Sequence, residues 1–258
     1  MLSNFTAEIN RLGTFEAVLS KHKAAPQLGV PTINILEDDF LALQRVTLET
    51  PQYERTLVKE LSFQVPHGEG VLVVGPSGAG KSSLMRAIAG LWNAGTGCVI
   101  RPKSEEMLFL PQRPYMLLGN LRSQLLYPNS SSEVTDKQLQ EALEQVNLAH
   151  LPQRVGGFDV ELEWADILSL GEQQRLAFAR LLLTKPRYAI LDESTSALDV
   201  GNEKRLYQLL KETGTTFISV GHRPTLVHYH EHVLHLVGNG SWQLMPAPEY
   251  IPYSLEVA

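Results

Sequence analysis

The chain has 258 residues, of which 43% are hydrophobic and 19% are charged, and its formal net charge is −6. This composition is typical of a folded globular protein, and the acidic balance gives no indication of a nucleic-acid partner. The single cysteine, Cys98, excludes an internal disulfide and fits a reducing compartment. No apolar run approaches the roughly 20 residues that span a bilayer, and residues 1–19 lack a signal-peptide pattern, so we expect the chain itself to be soluble.

The first 31 residues are predicted to form an element of their own. Apolar residues recur at helical spacing within residues 1–20, which predicts an amphipathic helix. Residues 21–31 contain two prolines and a glycine and are typical of a linker. The main domain is therefore expected to span residues 32–258. The apolar residues of the predicted helix are Phe5, Ile9, Leu12, Phe15 and Leu19.

Two strands joined by a turn are predicted next. Residues 34–48 and residues 57–65 carry alternating apolar side chains, which is typical of half-buried strands. The turn at residues 51–55 holds Tyr53. The ring of Tyr53 could stack on an adenine base or belong to an ordinary surface tyrosine, and the sequence leaves both interpretations open.

A phosphate-binding motif follows a short apolar strand at residues 71–74. Residues 75–82 read GPSGAGKS and fit the pattern G-x-x-x-x-G-K-[ST] at every fixed position. Its glycines let backbone N–H groups point at an anion, and a helix predicted to begin near Lys81 adds the positive end of its dipole. We expect Lys81 to reach the β- and γ-phosphates and Ser82 to bind Mg²⁺. The predicted nucleotide-binding residues here are Gly75, Pro76, Ser77, Gly78, Ala79, Gly80, Lys81, Ser82 and Ser83.

The rest of the chain alternates between strands and helices, which predicts a mainly parallel sheet. Residues 113–183 are predicted to be a helical insertion, in which Thr135 and Gln138 form a capping box. The predicted strands lie at residues 98–100, 107–110, 188–191 and 216–220, a closing hairpin at residues 233–237 and 242–245, and a further helix at residues 202–213.

Polar residues follow the carboxyl ends of the predicted strands, where open α/β sheets bind ligands. Asp192 suits Mg²⁺, and Glu193 suits a general base that polarises an attacking water. Gln112 could contact both the Mg²⁺ and this water, and His222 could contact the γ-phosphate. The predicted catalytic residues are therefore Glu193 and His222, and the predicted Mg²⁺ ligands are Ser82, Gln112 and Asp192.

Six motifs occur in order, namely GPSGAGKS, the glutamine of LPQ, LSLGEQQR, YAILDE, SALD and the histidine of VGHR. Together they resemble the nucleotide-binding domain of an ABC transporter, and the resemblance covers residues 34–245. It implies an α/β P-loop NTPase of ABC type, with a mainly parallel sheet core, an N-terminal antiparallel β-subdomain and a helical subdomain. It also implies ATP and Mg²⁺ as ligands, and ATP hydrolysis that drives transport.

The resemblance further implies roles at a dimer interface. The signature motif would contact the γ-phosphate of ATP held by the opposite protomer, and Asp199 would be the D-loop aspartate that crosses the interface. Gln112 would couple nucleotide to the membrane domain, and His222 would be the switch histidine. The implied partners are a second nucleotide-binding domain, expected as a homodimer, and the transmembrane domain of the same transporter, with no nucleic acid. The signature residues are Ser169, Gly171 and Glu172.

The signature departs from the usual LSGGQ or LSGGE, because Leu170 takes the place of a glycine. Leucine lacks the flexibility and close backbone approach of glycine, which favours a degenerate site with weak hydrolysis. However, LSLGEQQRLAFARLLL, PQRPYMLLGNLRSQLLYP and Trp164 resemble one branch, the peroxisomal fatty-acyl-type half-transporters and their bacterial peptide- and cobalamin-type relatives. Leucine is ordinary at this place in the bacterial members. We therefore expect an active ATPase.

In these proteins the membrane domain precedes the nucleotide domain, so residues 5–20 resemble the end of its last transmembrane helix. The chain would then be a motor domain at the cytoplasmic face of a membrane, expected to be a bacterial inner membrane. An ordinary N-terminal helix is the alternative.

Two other functions stay open. One is a soluble ABC ATPase acting on DNA or ribosomes, although the coiled-coil insertion or tandem cassettes of such proteins are missing. The other is an ATP-binding regulatory module, against which Glu193 and His222 argue.

Two further signals are weaker. His228, His230, His232 and His235 crowd eight residues and would suit Zn²⁺ if a strand placed three of them on one face. A position on a strand at the edge of the sheet would explain the four histidines equally well.

Residues 116–118, which read MLL, could be helical core or, by the resemblance, a surface that docks a membrane domain.

Overall fold

The structure, a computed structural model, describes residues 31–128 and 134–251. The helix predicted at residues 1–20 lies outside this part of the chain. The strands are β1 (Asn34–Glu37), β2 (Ala42–Glu49), β3 (Thr56–Gln64), β4 (Gly70–Val74), β5 (Gly95–Arg101), β6 (Met107–Leu110), β7 (Gly119–Asn120), β8 (Glu161–Leu162), β9 (Tyr188–Asp192), β10 (Thr216–Val220), β11 (His232–Gly238) and β12 (Ser241–Pro246). The α-helices are α1 (Lys81–Ala89), α2 (Leu121–Leu126), α3 (Asp136–Gln145), α4 (Leu151–Val155), α5 (Trp164–Ile167), α6 (Leu170–Thr184) and α7 (Val200–Glu212).

A six-stranded sheet carries the phosphate loop. Its strand order is β12-β11-β4-β10-β9-β6, and every neighbouring pair is parallel except the β11–β12 hairpin. Parallel neighbours need long crossover connections, which the intervening helices supply. The prediction of a mainly parallel sheet with a closing hairpin is confirmed.

Strand β4 is buried on both of its faces. Successive side chains of a strand point to opposite sides of the sheet, so Leu72 and Val74 join one hydrophobic cluster, whereas Val71 and Val73 join another. The first cluster contains residues of α2, α3, α6 and α7, and the second contains residues of α1 and of a smaller sheet. Burial on both sides explains why the sequence of this strand is apolar throughout.

The smaller sheet has the order β1-β5-β2-β3. Strand β2 pairs antiparallel with both β3 and β5, and β1 pairs parallel with β5. The predicted antiparallel pair ahead of the phosphate loop is therefore present. The single strand predicted at residues 34–48 is wrong in its middle. The N–H of Asp38 donates to the carbonyl of Arg101 at 3.0 Å, and the chain breaks there because β5 enters between β1 and β2.

The predicted helical insertion contains α2 to α6 and a two-residue strand pair, β7 with β8. Helix α3 begins with the predicted capping box, since the side chains of Thr135 and Gln138 each accept a hydrogen bond from the other residue's N–H. Leu139 and Leu143 of this helix pack into the same cluster as Trp164. None of the described helices is long and apolar enough to cross a membrane.

Candidate active site

The phosphate loop leaves β4 and enters α1 at Lys81, where the sequence predicts the helix to begin. Gly75 has φ +145°, and a Cβ there would lie 2.2 Å from the carbonyl oxygen of Leu236. Only glycine fits so close a backbone approach in that conformation. No side chain caps the first turn of α1, which leaves its N–H groups for an anion.

The side chain of Lys81 is folded into this loop. Its Nζ donates to the carbonyl oxygens of Gly75 at 2.8 Å and Pro76 at 3.0 Å. Burial lowers the pKa of the Lys81 amine, against the attraction of Glu193 and Asp192, which raises it. An ammonium group has three donors, so one remains for a phosphate oxygen beyond the two that bind the loop.

Ser82 and Asp192 meet between α1 and the end of β9. The Ser82 hydroxyl donates to Oδ1 of Asp192 at 3.1 Å. Burial raises the pKa of the Asp192 carboxyl, and the hydrogen bond from Ser82 opposes that rise. A hydroxyl and a carboxylate at this distance are hard oxygen donors of the kind that Mg²⁺ binds. The pair therefore fits the metal position predicted for it.

Glu193 is held by side chains from two neighbouring strand ends. Nε2 of Gln112 donates to Oε2 of Glu193 at 3.1 Å, and Nε2 of His222 lies 3.0 Å from Oε1. The backbone of Glu193 has φ +51°, which is uncommon for a residue other than glycine, and its N–H donates to the carbonyl of Val220 at 3.1 Å. Backbone of this kind persists where the surrounding structure fixes it, often at functional sites.

Strand register explains why these side chains meet. Val220 of β10 pairs with Asp192 of β9, and Leu110 of β6 pairs with Leu191 of β9. The three parallel strands therefore end at one edge of the sheet, and the residues that follow them share that edge.

A groove of about 380 Å³ opens at the phosphate loop, which is within the size range of small-molecule sites. It is lined by loop residues, by Glu193 and His222, and also by Thr50, Leu57 and Trp92, which sequence reasoning did not single out. Tyr53 follows Thr50 in the same turn but is not among the described residues that line the groove. The groove residues of the phosphate loop and α1 are Ser77, Gly78, Gly80, Lys81, Ser82 and Ser83.

The signature residues lie outside the lining of this groove. Ser169 caps α6 in a second capping box, in which its N–H donates to Oε2 of Glu172 at 2.9 Å and the Glu172 N–H donates to the Ser169 hydroxyl at 3.3 Å. Arg154 donates to Oε1 of Glu172 at 2.6 Å. Burial alone would raise the pKa of the Glu172 carboxyl, but the hydrogen bonds from Arg154 and Ser169 prevail and lower it.

Leu170 is the first helical residue of α6, and it is not among the residues with positive φ. The helix start therefore does not require the backbone freedom of glycine at this place. The Leu170 side chain lines a shallow groove beside Tyr115 and Met116. At the next position, a Cβ on Gly171 would lie 3.1 Å from the carbonyl oxygen of Ala197, so this glycine lets α6 approach the turn that precedes α7.

Asp199 caps α7. Its Oδ1 accepts the N–H of Asn202 at 2.8 Å, and its Oδ2 accepts the Asn202 side-chain amide at 2.6 Å. These hydrogen bonds from Asn202 lower the pKa of the Asp199 carboxyl. Like the signature residues, Asp199 does not line the groove at the phosphate loop.

The four histidines do not form the Zn²⁺ site that alternation along a strand would give. The ring of His230 is buried and contacts the Ser219 hydroxyl and a backbone carbonyl, and His232 pairs with Glu69 at 2.8 Å. No cluster of three or more His, Cys, Asp or Glu side chains among residues 31–128 and 134–251 could hold a metal ion. The interpretation fails because His228 lies in a 3-10 turn before β11 begins.

Gln174 is a site residue that sequence reasoning missed. It is fully buried in α6, its Nε2 donates to the carbonyl of Gln112 at 2.8 Å and to the Ser196 hydroxyl at 3.3 Å, and its Oε1 accepts the N–H of Ala197 at 3.0 Å. It therefore joins the signature helix to the loops after β6 and β9. Its position at helical spacing from Phe178, on the buried face of α6, is the signal that could have revealed it.

Comparison with known proteins places the chain in a family. Residues 58–196 match the ABC transporter family. An uncharacterized ABC transporter ATP-binding protein of Synechocystis is 50% identical, over 95% of this chain and 38% of its own length. ATP-binding cassette sub-family D member 3 of Homo sapiens is 37% identical, over 96% of this chain and 41% of its own length. A lysosomal cobalamin transporter of Mus musculus is 42% identical, over 84% of this chain and 37% of its own length.

The fold is also similar to that of a bacterial Atm1-family ABC exporter solved with ATP bound. The TM-score is 0.71, over 91% of this chain and 44% of that chain, at 22% identity. The chain spans less than half the length of each of these proteins. The predicted fold class and the resemblance to this branch of ABC transporters are confirmed. The chain belongs to the ABC transporter family, and it is an ATP-binding domain, the part that works as the ATPase of such transporters.

Proposed function

We propose that this chain is the motor domain of a transporter, in which ATP·Mg²⁺ is bound at the phosphate loop and hydrolysed with Glu193 as general base. One observation carries the proposal. The carboxylate of Glu193 lies between Gln112 and His222, at the edge of the sheet where Lys81 and Asp192 also lie. Because the chain spans less than half of its relatives' length, the transport activity of a whole protein is part of the proposal.

The binding role falls to the phosphate loop. The N–H groups of the loop and of the first turn of α1 would receive the phosphates, and Nζ of Lys81 would donate its remaining hydrogen bond to a phosphate oxygen. Ser82 and Asp192 would hold Mg²⁺, with the amide oxygen of Gln112 as a further ligand. Bound Mg²⁺ supplies neutralisation of the charge that develops on the phosphate oxygens. Tyr53 would stack on the adenine ring, a role that rests on its aromatic side chain just upstream of the phosphate loop.

The chemical step is an in-line displacement by water. Glu193 accepts a proton from the attacking water as the water oxygen bonds to the γ-phosphorus and the bond from that phosphorus to the β–γ bridging oxygen breaks. His222 donates a hydrogen bond to a γ-phosphate oxygen and so orients the group. Lys81 stabilises the leaving ADP oxygens by charge. Both His222 and Gln112 already touch Glu193, so small side-chain movements would exchange these contacts for contacts with ATP and water.

A second copy of the domain would complete each site. Within one protomer, neither the signature residues nor Asp199 lines the groove at the phosphate loop. We propose a homodimer that holds two ATP molecules between each phosphate loop and the opposite Ser169, Gly171 and Glu172, with Asp199 crossing the interface. A membrane domain would raise the effective concentration of the two copies.

The membrane domain would dock after β6. Residues 116–118 are irregular rather than helical, and the side chains of Tyr115 and Leu118 are 62% and 82% exposed. Exposed apolar side chains are typical of docking surfaces, and these follow Gln112 in the chain. A movement of the docked membrane domain would therefore be passed to Gln112 and from there to Glu193. The domain would then work at the cytoplasmic face of a membrane, in the bacterial case the inner membrane.

The test is the steady-state ATPase rate of the chain against its own concentration, with Glu193→Gln as variant and Glu212→Gln, at the far end of α7, as matched control. We expect the rate to rise faster than linearly, because two copies form each site. We expect Glu193→Gln to lower kcat by roughly 100-fold or more while ATP still binds, and the control to behave as the wild type. Unchanged turnover in Glu193→Gln would refute the general-base assignment. A rate that stays strictly linear at concentrations where the chain is monomeric would refute the shared sites.

A further inference from the structure

The loop at the end of β10 presents two neighbouring side chains to different partners. His222 reaches Glu193, as described above. The next residue, Arg223, donates from Nη2 to the carbonyl of Leu198 at 2.6 Å, and its Nη1 lies 3.3 Å from Oε2 of Glu203. Arg223 therefore joins residues 221–223, which we call the histidine loop, to the turn that ends in Asp199 and to α7, the helix that follows this turn.

Glu203 is a buried charge with several partners. Its side chain is 2% exposed, and it accepts hydrogen bonds from the hydroxyls of Thr195 at 2.9 Å and Thr225 at 3.3 Å. A buried carboxylate needs a counter-charge as well as hydrogen bonds, and Arg223 supplies the charge. The N–H of Glu203 donates to the carbonyl of Asp199 at 3.0 Å, so the carboxylate lies one helical turn beyond the residue that caps α7.

Side chains do not fill the space between the pair Glu193 and His222 and the pair Arg223 and Glu203. A cavity of about 150 Å³ is lined by Glu193 and His222 and also by Glu203 and Arg223. Apolar packing of Leu226 against Gly221 holds the start of the loop. The polar contacts of Arg223 hold its other end.

We infer that Arg223 is a positioning residue, which sets His222 against Glu193 according to the position of residues 196–199. This inference rests on the proposed function, in which Asp199, at the end of this turn, crosses the interface to the second protomer. Assembly of the dimer would move this turn, and the turn would move the histidine loop through the carbonyl of Leu198 and the carboxylate of Glu203. Arg223 itself does not line the groove that opens at the phosphate loop.

The inference predicts different effects on the rate of the chemical step and on the affinity for ATP. Removal of the guanidinium frees the histidine loop, and a misplacement of about 1 Å can lower the rate of a chemical step by roughly 100-fold. The contacts of Lys81 with the phosphate loop are left intact, so the affinity for ATP stays the same. Arg223→Lys keeps a positive charge near Glu203 but loses the planar fork that also reaches Leu198, and it therefore has an intermediate effect.

The experiment compares Arg223→Ala, Arg223→Lys and Glu203→Gln with the wild type, and measures kcat, the equilibrium Kd for ATP and Tm. The matched control is Lys211→Gln, which breaks the 2.6 Å ion pair of Lys211 with Glu231. Lys211 lies on α7, the helix that also carries Glu203. We expect kcat to fall roughly 10-fold to 100-fold in Arg223→Ala and about 3-fold to 10-fold in Arg223→Lys, with Kd within about 2-fold of the wild type. The control keeps wild-type kcat.

Arg223→Lys remains informative if Arg223→Ala does not fold, because it leaves the charge of Glu203 compensated. An unchanged kcat in the arginine variants would overturn the inference. Parallel losses of kcat, ATP affinity and Tm, without recovery in Arg223→Lys, would also overturn it and show a merely structural role. A wild-type chain without turnover would overturn the proposed function together with this inference, whereas an active wild type with fully active arginine variants would overturn this inference alone.

Discussion

Gln174→Leu tests whether one buried side chain holds the active-site loops together. The amide of Gln174 contacts the carbonyl of Gln112, the hydroxyl of Ser196 and the N–H of Ala197. Leucine has a similar volume and none of these hydrogen bonds. The loop that carries Gln112 and the turn that follows Glu193 would both lose their attachment to α6.

The cost can be worked out from the two shorter bonds, at 2.8 Å and 3.0 Å. Each hydrogen bond contributes about 0.5–1.5 kcal/mol net, so the variant loses about 1–3 kcal/mol of unfolding free energy. Gln112 and Ala197 are themselves exposed, so water can partly replace the lost amide. The loss of unfolding free energy therefore stays within this range. A domain is stable by about 5–15 kcal/mol, so the variant remains folded and its activity can be measured.

Urea unfolding and the ATPase rate are the two assays. We expect the midpoint to fall at an unchanged m-value, and kcat to fall by roughly 10-fold or more because Gln112 and Glu193 lose their alignment. The control is Gln140→Leu on α3, whose amide hydrogen bonds are at the surface, and which should cost about 0.5 kcal/mol or less. A loss below about 0.5 kcal/mol with full activity in Gln174→Leu would refute the role of this side chain.

Two further predictions concern stability at low pH and base recognition. Burial lowers the pKa of His230 to about 4 from an ordinary 6.5. Above pH 6.5 the ring is neutral in both states and the folded state has its full stability. As the pH falls toward 4 the unfolded chain binds the proton first, so the unfolding free energy decreases. Between pH 7 and pH 4 the wild type should therefore lose about 3 kcal/mol more unfolding free energy than His230→Gln, measured by urea unfolding at both pH values; equal losses in the two proteins would contradict this. Tyr53→Ala should weaken ATP binding about 3-fold to 10-fold in an equilibrium titration, whereas Tyr53→Phe should not, because stacking needs only the ring. Equal affinities in all three proteins would rule out adenine stacking by Tyr53.

The parts of this protein that the sequence predicts well are those set by neighbouring residues. The glycines and Lys81 lie within one short segment, so the strand, the turn and the start of α1 follow from local conformational preferences. The capping box of Thr135 follows from a four-residue pattern. The alternation of strands and helices predicts a parallel sheet, and a parallel sheet brings its strand ends to one edge, which is why Gln112, Glu193 and His222 meet there.

The parts that the sequence does not predict depend on partners distant in the chain. The break after β1 occurs because β5 enters between β1 and β2, and nothing local to residues 38–41 indicates this insertion. The histidines that suggest a metal site instead contact Ser219 and Glu69, which only the packing brings near.

The sequence by itself therefore determined the chemistry at the phosphate loop and the order of strands and helices around it, because both are properties of short segments. Only the tertiary structure decided which polar side chains hold that chemistry in place. The hydrogen bond from Gln174 to Gln112 and the ion pair of Arg223 with Glu203 join segments about 60 and 20 residues apart. Each contact depends on a buried polar side chain, Gln174 in one and Glu203 in the other, and no short pattern records burial, since a glutamine or a glutamate in a helix is ordinary until its surroundings exclude water.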